Sequence, residues 1–335
     1  MGEPFPPHGW TPIRIYFDGG RAFVDWCETR DVRFTDPFFE QTITRCLRRP
    51  FNQLFRHQTP VEQLLARQAV SRSLAPSGFI FHTSRCGSTL VAQMLAALPQ
   101  NLVISEAGPI DTILRADERL RGLPEETRIE WLRALLSALC ERRGDELQHC
   151  FVKLDSWHTL DIKLLRRAFP GVPFVFLYRE PVEVIVSHLR RRGAQMIPGV
   201  LDPARLSLEA SSVGSMPPEE YCARVLGAMC RAALTDCEDA SMLLVNYREL
   251  PGAVCTRLTA WLGAHYTDAE RERMACAAQF DAKNPVLPFA DDTEAKRREA
   301  GEAVRRAADA WVRPFYEALE AKNVEARRVC AEQRR

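Results

Sequence analysis

Long hydrophobic runs, an excess of charge of either sign and metal-binding cysteine spacings are all missing from this chain, and each absence argues against a class of function. No apolar stretch approaches the roughly 20 residues needed to cross a bilayer, so no membrane span is expected. Lys and Arg number 45 against 44 Asp and Glu, a formal net charge of +1, so no global field draws the protein to nucleic acid or anionic lipid. The 11 cysteines are scattered without a CxxC pair or a Cys/His ligand spacing. That pattern argues for reduced thiols rather than a disulfide framework or zinc site, and with it for a cytoplasmic location and no metal. The N-terminus, MGEPFPPHGWTPIRIYFDGG, has neither a basic start ahead of an apolar stretch nor a small-residue cleavage site. Internal repeats are lacking too. What remains is a chain of 335 residues, long enough for one large domain or two small ones.

The densest information lies in GFIFHTSRCGSTL, from Gly78 to Leu90. Phe79, Ile80 and Phe81 suit a central strand, and from Ser88 the pattern turns helical through Leu90, Met94, Leu95 and Leu98. Gly87 lets the backbone approach an anion, Arg85 supplies a fixed positive fork, and the N–H groups around Gly87 to Thr89 would point at the bound group. An ATP- or GTP-type loop, GxxxxGK[ST], needs Lys before its Ser/Thr, and no Lys occurs between Gly78 and Leu90. The dinucleotide fingerprint GxGxxG is also absent.

A second segment, VPFVFLYREPVEVIVSHLRRR from Val172 to Arg192, reads as a strand followed by a helix that starts at Pro181. Arg179 leaves the strand end, and Ser187 follows about two helical turns later, so both can face one ligand if the helix packs back on the strand. A third, LLVNYRELPGAVCTRLTAWLG from Leu243 to Gly263, places Tyr247 after another apolar strand.

Residues 1–75 read as a separate extension. Thr11 to Phe17 and Arg21 to Trp26 are expected strands around the hairpin signal Asp18-Gly19-Gly20, and residues 37–74 are expected to form one or two helices packed on the main domain. From Gly78 onward strands alternate with helices. The strand candidates are Phe79–His82, Leu102–Ile104, Cys150–Leu154, Pro173–Tyr178 and Met242–Val245. Helices are expected over Glu125–Arg142, Asp161–Ala168 and Pro217–Asp239, with a long charged helix from Thr293 to about Ala326, kinked at Pro314 and buried along Trp311, Phe315 and Leu319. The alternation predicts an α/β fold over residues 76–335, a mostly parallel sheet between two helical layers, with ligands beyond the carboxyl ends of the strands.

The three segments resemble, in order and approximate separation, the donor-binding motifs of sulfotransferases that use 3′-phosphoadenosine 5′-phosphosulfate (PAPS). RCGST is similar to that family's 5′-phosphosulfate loop, often RSGST or KSGTT, with Cys86 in the small-residue position. Arg179 and Ser187 match the segment strand–R-[DN/E]-P-x-[DE]-V-x-x-S that holds the 3′-phosphate. The third segment matches Y-x-x-L, a Pro and an amphipathic helix ending in LG, which puts Tyr247 near the adenine. The resemblance runs from about Gly78 to Gly263. It implies a P-loop-type three-layer fold and PAPS as cofactor, with adenosine 3′,5′-bisphosphate as product. Donor contacts are then expected from Thr83, Ser84, Arg85, Cys86, Gly87, Ser88, Thr89, Arg179, Ser187 and Tyr247. No metal is expected, because a sulfuryl group carries less charge than a phosphoryl. The family's RKGxxGDWK segment has no match. In its place stands FDAKNPVLPFADDTEAKRR, from Phe280 to Arg298, where Lys283, Lys296, Arg297 and Arg298 are the basic residues available.

For catalysis, Arg85 is the candidate for stabilising charge on the bridging oxygen, assisted by Ser88 and Thr89. Glu106, in NLVISEAGPID, is the first choice of base, since several bacterial, tyrosylprotein and glycan sulfotransferases place a Glu there. The cytosolic branch uses a His two residues after a Lys in KTH. Here VKLDSWH puts Lys153 on that Lys, Asp155 on the His position and His158 three residues further, so Asp155 and His158 are the alternatives. The acceptor is a small molecule, glycan, lipid or peptide bearing a hydroxyl or amine. Gly193 to Pro218, rich in turn formers, is the expected acceptor-side lid, and Arg190–Arg191–Arg192 would suit an anionic acceptor. A P-loop kinase using ATP and a non-catalytic nucleotide-binding protein on the same fold are the competing readings. Oligomeric state leaves no mark in the sequence.

Overall fold

The computed structural model describes residues 6–116, 123–237 and 242–332. It opens with a hairpin, β1 (Trp10–Asp18) and β2 (Arg21–Glu28), whose turn residues Gly19 and Gly20 have φ of 54° and 78°. Two successive left-handed residues match the twist of the flanking strands, which is why Asp-Gly-Gly marks the turn. Residues 37–74 depart from the expected one or two helices. They form α1 (Phe39–Leu47), α2 (Pro50–Leu54) and α3 (Val61–Gln68), with a strand β3 (His57–Pro60) before the last. HQTP has no alternation to announce a strand. It is recruited by pairing with β2, where the Trp26 indole N–H donates to Thr59 Oγ1 at 2.9 Å, and its proline sits at a sheet edge where no donor is needed.

The main unit is a five-stranded sheet of β4 (Pro76–His82), β5 (Asn101–Ser105), β6 (His149–Lys153), β7 (Phe174–Tyr178) and β8 (Met242–Asn246). The order is β5-β6-β4-β7-β8 and every pairing is parallel. Alternate side chains enter two apolar cores. Phe79, Phe81, Phe174, Phe176 and Tyr178 face one side; Ile80, Val175, Leu177 and Val245 face the other. Burial on both faces explains why these strands are continuously apolar. The helices α4 (Ser88–Ala96) and α5 (Gly108–Leu114) follow β4 and β5. Beyond them, Glu125–Leu139, Ile162–Ala168, Pro181–Arg190 and Pro218–Asp236 complete the crossovers. The expected helix reaching Asp239 ends on residues 238–239, which lie outside the described residues.

The extension packs against this sheet. Trp10, Trp26, Phe39 and Leu64 belong to the same buried apolar cluster as Phe79 and Phe81. The Ser105 hydroxyl donates to the Pro37 carbonyl at 2.8 Å, and buried Glu141 accepts from the Gly9 N–H at 3.0 Å and from Arg67 at 2.6 Å.

Three further points correct the sequence reading. The C-terminal helix is divided into Thr293–Glu299, Glu302–Trp311 and Arg313–Glu332. Breaks fall at Ala300–Gly301 and at Val312, and Pro314 lies in the first turn of the last helix, where a missing N–H is harmless. Along it Leu319 is buried and Phe315 partly so, but Trp311 is exposed beneath the Arg224 guanidinium, 3.6 Å from its ring. Finally, Cys140 and Cys150 form a disulfide, with Cα atoms 5.9 Å apart, because the chain returns from the end of Glu125–Leu139 directly into β6. Among the described residues no helix is long and apolar enough to cross a membrane.

Candidate active site

β4 lies inside the sheet between β6 and β7, and its carboxyl end opens into a cleft of about 460 Å³. The turn leaving β4 is tightly wound, with φ of 67° at Ser84, 52° at Arg85 and 82° at Gly87. Left-handed conformations at two non-glycine residues are unfavourable and persist only where the surroundings hold them. His82 supplies part of that hold. Its Nδ1 accepts from the Ser84 N–H at 3.0 Å, which leaves Nε2 carrying the proton donated to the Leu154 carbonyl at 2.9 Å. At Gly87 any Cβ would lie 2.6 Å from Leu250 Cδ1 and 3.0 Å from Tyr247 Cδ2, so glycine is required by space as well as by φ. α4 then begins with no side-chain cap, which leaves its first-turn N–H groups open for an anion. Ser84, Arg85, Gly87, Ser88 and Thr89 line the cleft. Thr83 and Cys86 turn inward, the Thr83 N–H and the Cys86 thiol both bonding to the Leu177 carbonyl at 3.0 and 3.2 Å.

One wall carries the candidate bases. Ser105 and Lys153 are partners across β5 and β6, so Glu106 emerges beside a fully buried lysine. Lys153 donates to Ser105 Oγ at 3.1 Å and to Glu106 Oε1, and His82 Nε2 lies 3.6 Å from the same carboxylate. Burial alone would raise the Glu106 pKa, but Lys153 and His82 outweigh it and hold the carboxyl well below the usual range. Asp155 shows the opposite balance. Burial pushes it up to about 7, against a smaller opposing pull from His158. Both carboxylates line the cleft. His158 does not: it is buried, with Nδ1 accepting from the Asp155 N–H at 3.2 Å and Nε2 donating to Asp111 at 3.0 Å. Phe38, from the extension, and Trp157 close this wall.

At the other end, Arg179 leaves β7 and is buried. Its Nε donates to Glu183 at 2.6 Å, an i,i+4 pair, Nη2 reaches Thr293 Oγ1 at 3.0 Å and Asp292 at 3.4 Å, and Nη1 donates to the Arg85 carbonyl at 3.5 Å. The guanidinium lies over one face of Tyr247, 3.9 Å from the ring centre, so that face serves Arg179 rather than a base. Lys296 pairs with Asp292 at 2.7 Å, and Ser187 also lines the cleft. Glu183, Asp292 and Phe38 were not singled out from the sequence. Only Glu183 carried a local signal, its spacing of four from Arg179.

The expected lid begins where the Arg85 guanidinium donates to the Arg191 carbonyl at 2.7 Å and the Gly193 N–H donates to His188 Nδ1 at 3.2 Å. Gly193, Ala194 and Gln195 reach the cleft, and the segment contains short helical turns at Ala194–Met196, Pro203–Leu206 and Ala210–Val213. Opposite it stands a two-stranded hairpin, β9 (Phe280–Asp281) and β10 (Asn284–Pro288).

The sequence profile of the Sulfotransferase family matches residues 76–268, more than half of the chain. Among solved structures, a sulfotransferase from Alicyclobacillus acidocaldarius is 16% identical, with a TM-score of 0.43 over 75% of this chain and 96% of that one. The sulfotransferase domain of the Synechococcus PCC 7002 olefin synthase is 16% identical, with a TM-score of 0.42 over 75% of this chain and 95% of that one. A mouse sulfotransferase solved in complex with PAP is 13% identical, with a TM-score of 0.37 over 77% and 93%. No curated protein matches.

Proposed function

Because the chain belongs to the sulfotransferase family, we propose that it moves a sulfuryl group from PAPS to a hydroxyl or amine and releases adenosine 3′,5′-bisphosphate. The observation that carries this reading is that one cleft is lined both by the turn from Ser84 to Thr89 and by Arg179, Ser187 and Lys296, two groups of donors that each suit an anion. A nucleotide with phosphate on one side of its ribose would use only one of them. The donor set fits: open N–H groups and two hydroxyls at a helix start for the 5′ end, two cations and a hydroxyl for the 3′ end. A kinase reading lacks the lysine that such a loop needs.

In this reading Arg85 and the start of α4 neutralise charge developing on the bridging oxygen. Glu106, ionised and 22% exposed in the cleft wall, takes the acceptor's proton, while buried Lys153 keeps its carboxylate aimed. Asp155 competes for the same role, since a base titrating near 7 is well matched to neutral pH. We assign residues 76–335 to the catalytic unit and residues 1–75 to shaping the acceptor side through Phe38. The acceptor itself is a small molecule, glycan, lipid or peptide.

Parallel calorimetric titrations with adenosine 3′,5′-bisphosphate, ADP and ATP test the reading. Adenosine 3′,5′-bisphosphate is expected to bind tightest; tighter binding of ATP with magnesium would move the assignment to a kinase.

A further inference from the structure

Lys283 is the one cation of the cleft with no part in the chemistry so far. It sits in the turn between β9 and β10, where Asp281 Oδ1 accepts from the N–H groups of Lys283 at 2.9 Å and Asn284 at 2.8 Å. That self-closed turn gives the side chain a fixed point of departure. The ammonium lies 6.0 Å from the Phe38 ring centre, and Lys153 lies 5.0 Å from the same ring. It lines the cleft, and Arg85, Glu106, Lys153 and Arg191 are among the charges that act on it, which puts it on the Glu106 side. Burial, then Arg85, pushes its pKa down to about 8. Among the described residues it has no ion-pair partner.

Four cations, Arg85, Lys153, Arg191 and Lys283, therefore share this side of the cleft with two carboxylates, of which Glu106 is already bonded to Lys153 and Asp155 is pushed toward its neutral form by burial. Like charges drawn together at a partly dehydrated site are unfavourable unless an anion joins them. We propose that Lys283 contacts the oxygens of the transferable sulfuryl group, which makes the β9–β10 hairpin a strap over the transfer end. This rests on the PAPS reading above. In the transfer the acceptor oxygen or nitrogen forms a bond to sulfur. The bond from sulfur to the bridging oxygen breaks with its electron pair staying on adenosine 3′,5′-bisphosphate, and the acceptor proton passes to Glu106. Lys283 holds the non-bridging oxygens through that exchange. The strap differs from Lys296, which the same segment of chain sends to the 3′ end.

The test is calorimetry on the full chain with PAPS and with adenosine 3′,5′-bisphosphate, which lacks the sulfuryl group. Lys283→Ala is expected to weaken PAPS binding about tenfold and adenosine 3′,5′-bisphosphate binding less than about twofold, with Lys283→Arg recovering most of the loss. Lys283→Met, which keeps the length of the stem without its charge, should repeat the alanine result, and thermal unfolding checks that all three variants fold. Release of sulfate from PAPS to water should fall in parallel. Equal losses for the two nucleotides, or an undiminished PAPS affinity, overturn the role of Lys283 and leave the PAPS reading standing. If the wild-type protein binds neither nucleotide, both fall.

Discussion

The two ends of the cleft handle positive charge differently. Around Arg179 every cation already has a carboxylate: Glu183 at 2.6 Å from Arg179 and 2.7 Å from Arg297, and Asp292 at 2.7 Å from Lys296. Around Arg85 they do not. The Arg85 guanidinium donates to a backbone carbonyl, and Lys283 has no acidic partner among the described residues. Under the proposed function, a phosphate arriving at the first end would displace Asp292 and leave Glu183 in place, and the excess positive charge at the second would await a group present only while the donor is bound. Recognition and chemistry would then have different electrostatic designs within one cavity.

The sharpest break in this comparison is at the transfer end. Glu106→Gln is expected to lower sulfuryl transfer by about 10²–10⁴-fold, measured with whichever hydroxyl or amine gives turnover. Nucleotide affinity should stay nearly unchanged. The pH profile separates the two carboxylates. Glu106, held low by Lys153 and His82, stays ionised and adds no rise near neutrality, whereas a rate climbing as pH passes about 7 would assign the proton transfer to Asp155.

Arg179→Ala breaks the opposite end. Loss of a charge-assisted bond worth about 1.5–3 kcal/mol should weaken adenosine 3′,5′-bisphosphate roughly ten- to hundred-fold and leave AMP almost unaffected. Equal losses for both would place Arg179 in support of the fold or of the common 5′-phosphate.

Asp155 tests whether the transfer end carries its charge at the expense of stability. Its folded pKa, about 7, exceeds the ordinary value of 3.8, so the folded state holds the extra proton between those values and stability falls as pH rises through that window. Asp155→Asn keeps the size and shape of the side chain and removes its charge. It should stabilise the protein by about 1–3 kcal/mol at pH 8 and by little at pH 4, read from denaturant unfolding at both values. The smallest change expected is at Asp292. Asp292→Asn frees Lys296 and one face of Arg179, and should tighten adenosine 3′,5′-bisphosphate by about 3- to 10-fold; weaker binding would show that Asp292 orients the cations instead of competing for them.

Much of the cleft's framework is legible because it is local. The turn, the helix start and the Arg179–Ser187 spacing each lie within one strand–turn–helix, and the five apolar strands announced themselves by burial on both faces. What was not legible depends on register between distant segments. Glu106 meets Lys153 only because Ser105 pairs with Lys153 across two strands. Tyr247 holds Arg179, and Phe38 walls the cleft, only after the sheet and the extension have assembled. β3 escaped notice for the same reason, since its partner strand, not its own composition, makes it a strand.

The family match begins at residue 76, which suggests a natural place to cut, but the shared core forbids a clean one. Without the extension, Phe79 and Phe81 lose part of their apolar packing, Glu141 loses its Gly9 and Arg67 donors, and Ser105 loses its acceptor at Pro37. Ser105 is the residue next to Glu106. Residues 1–75 are therefore not a transplantable module. A chimera that exchanges them would inherit a mismatched core along with the new cleft wall, whereas a change at a single position such as Phe38 reshapes that wall and leaves the core intact.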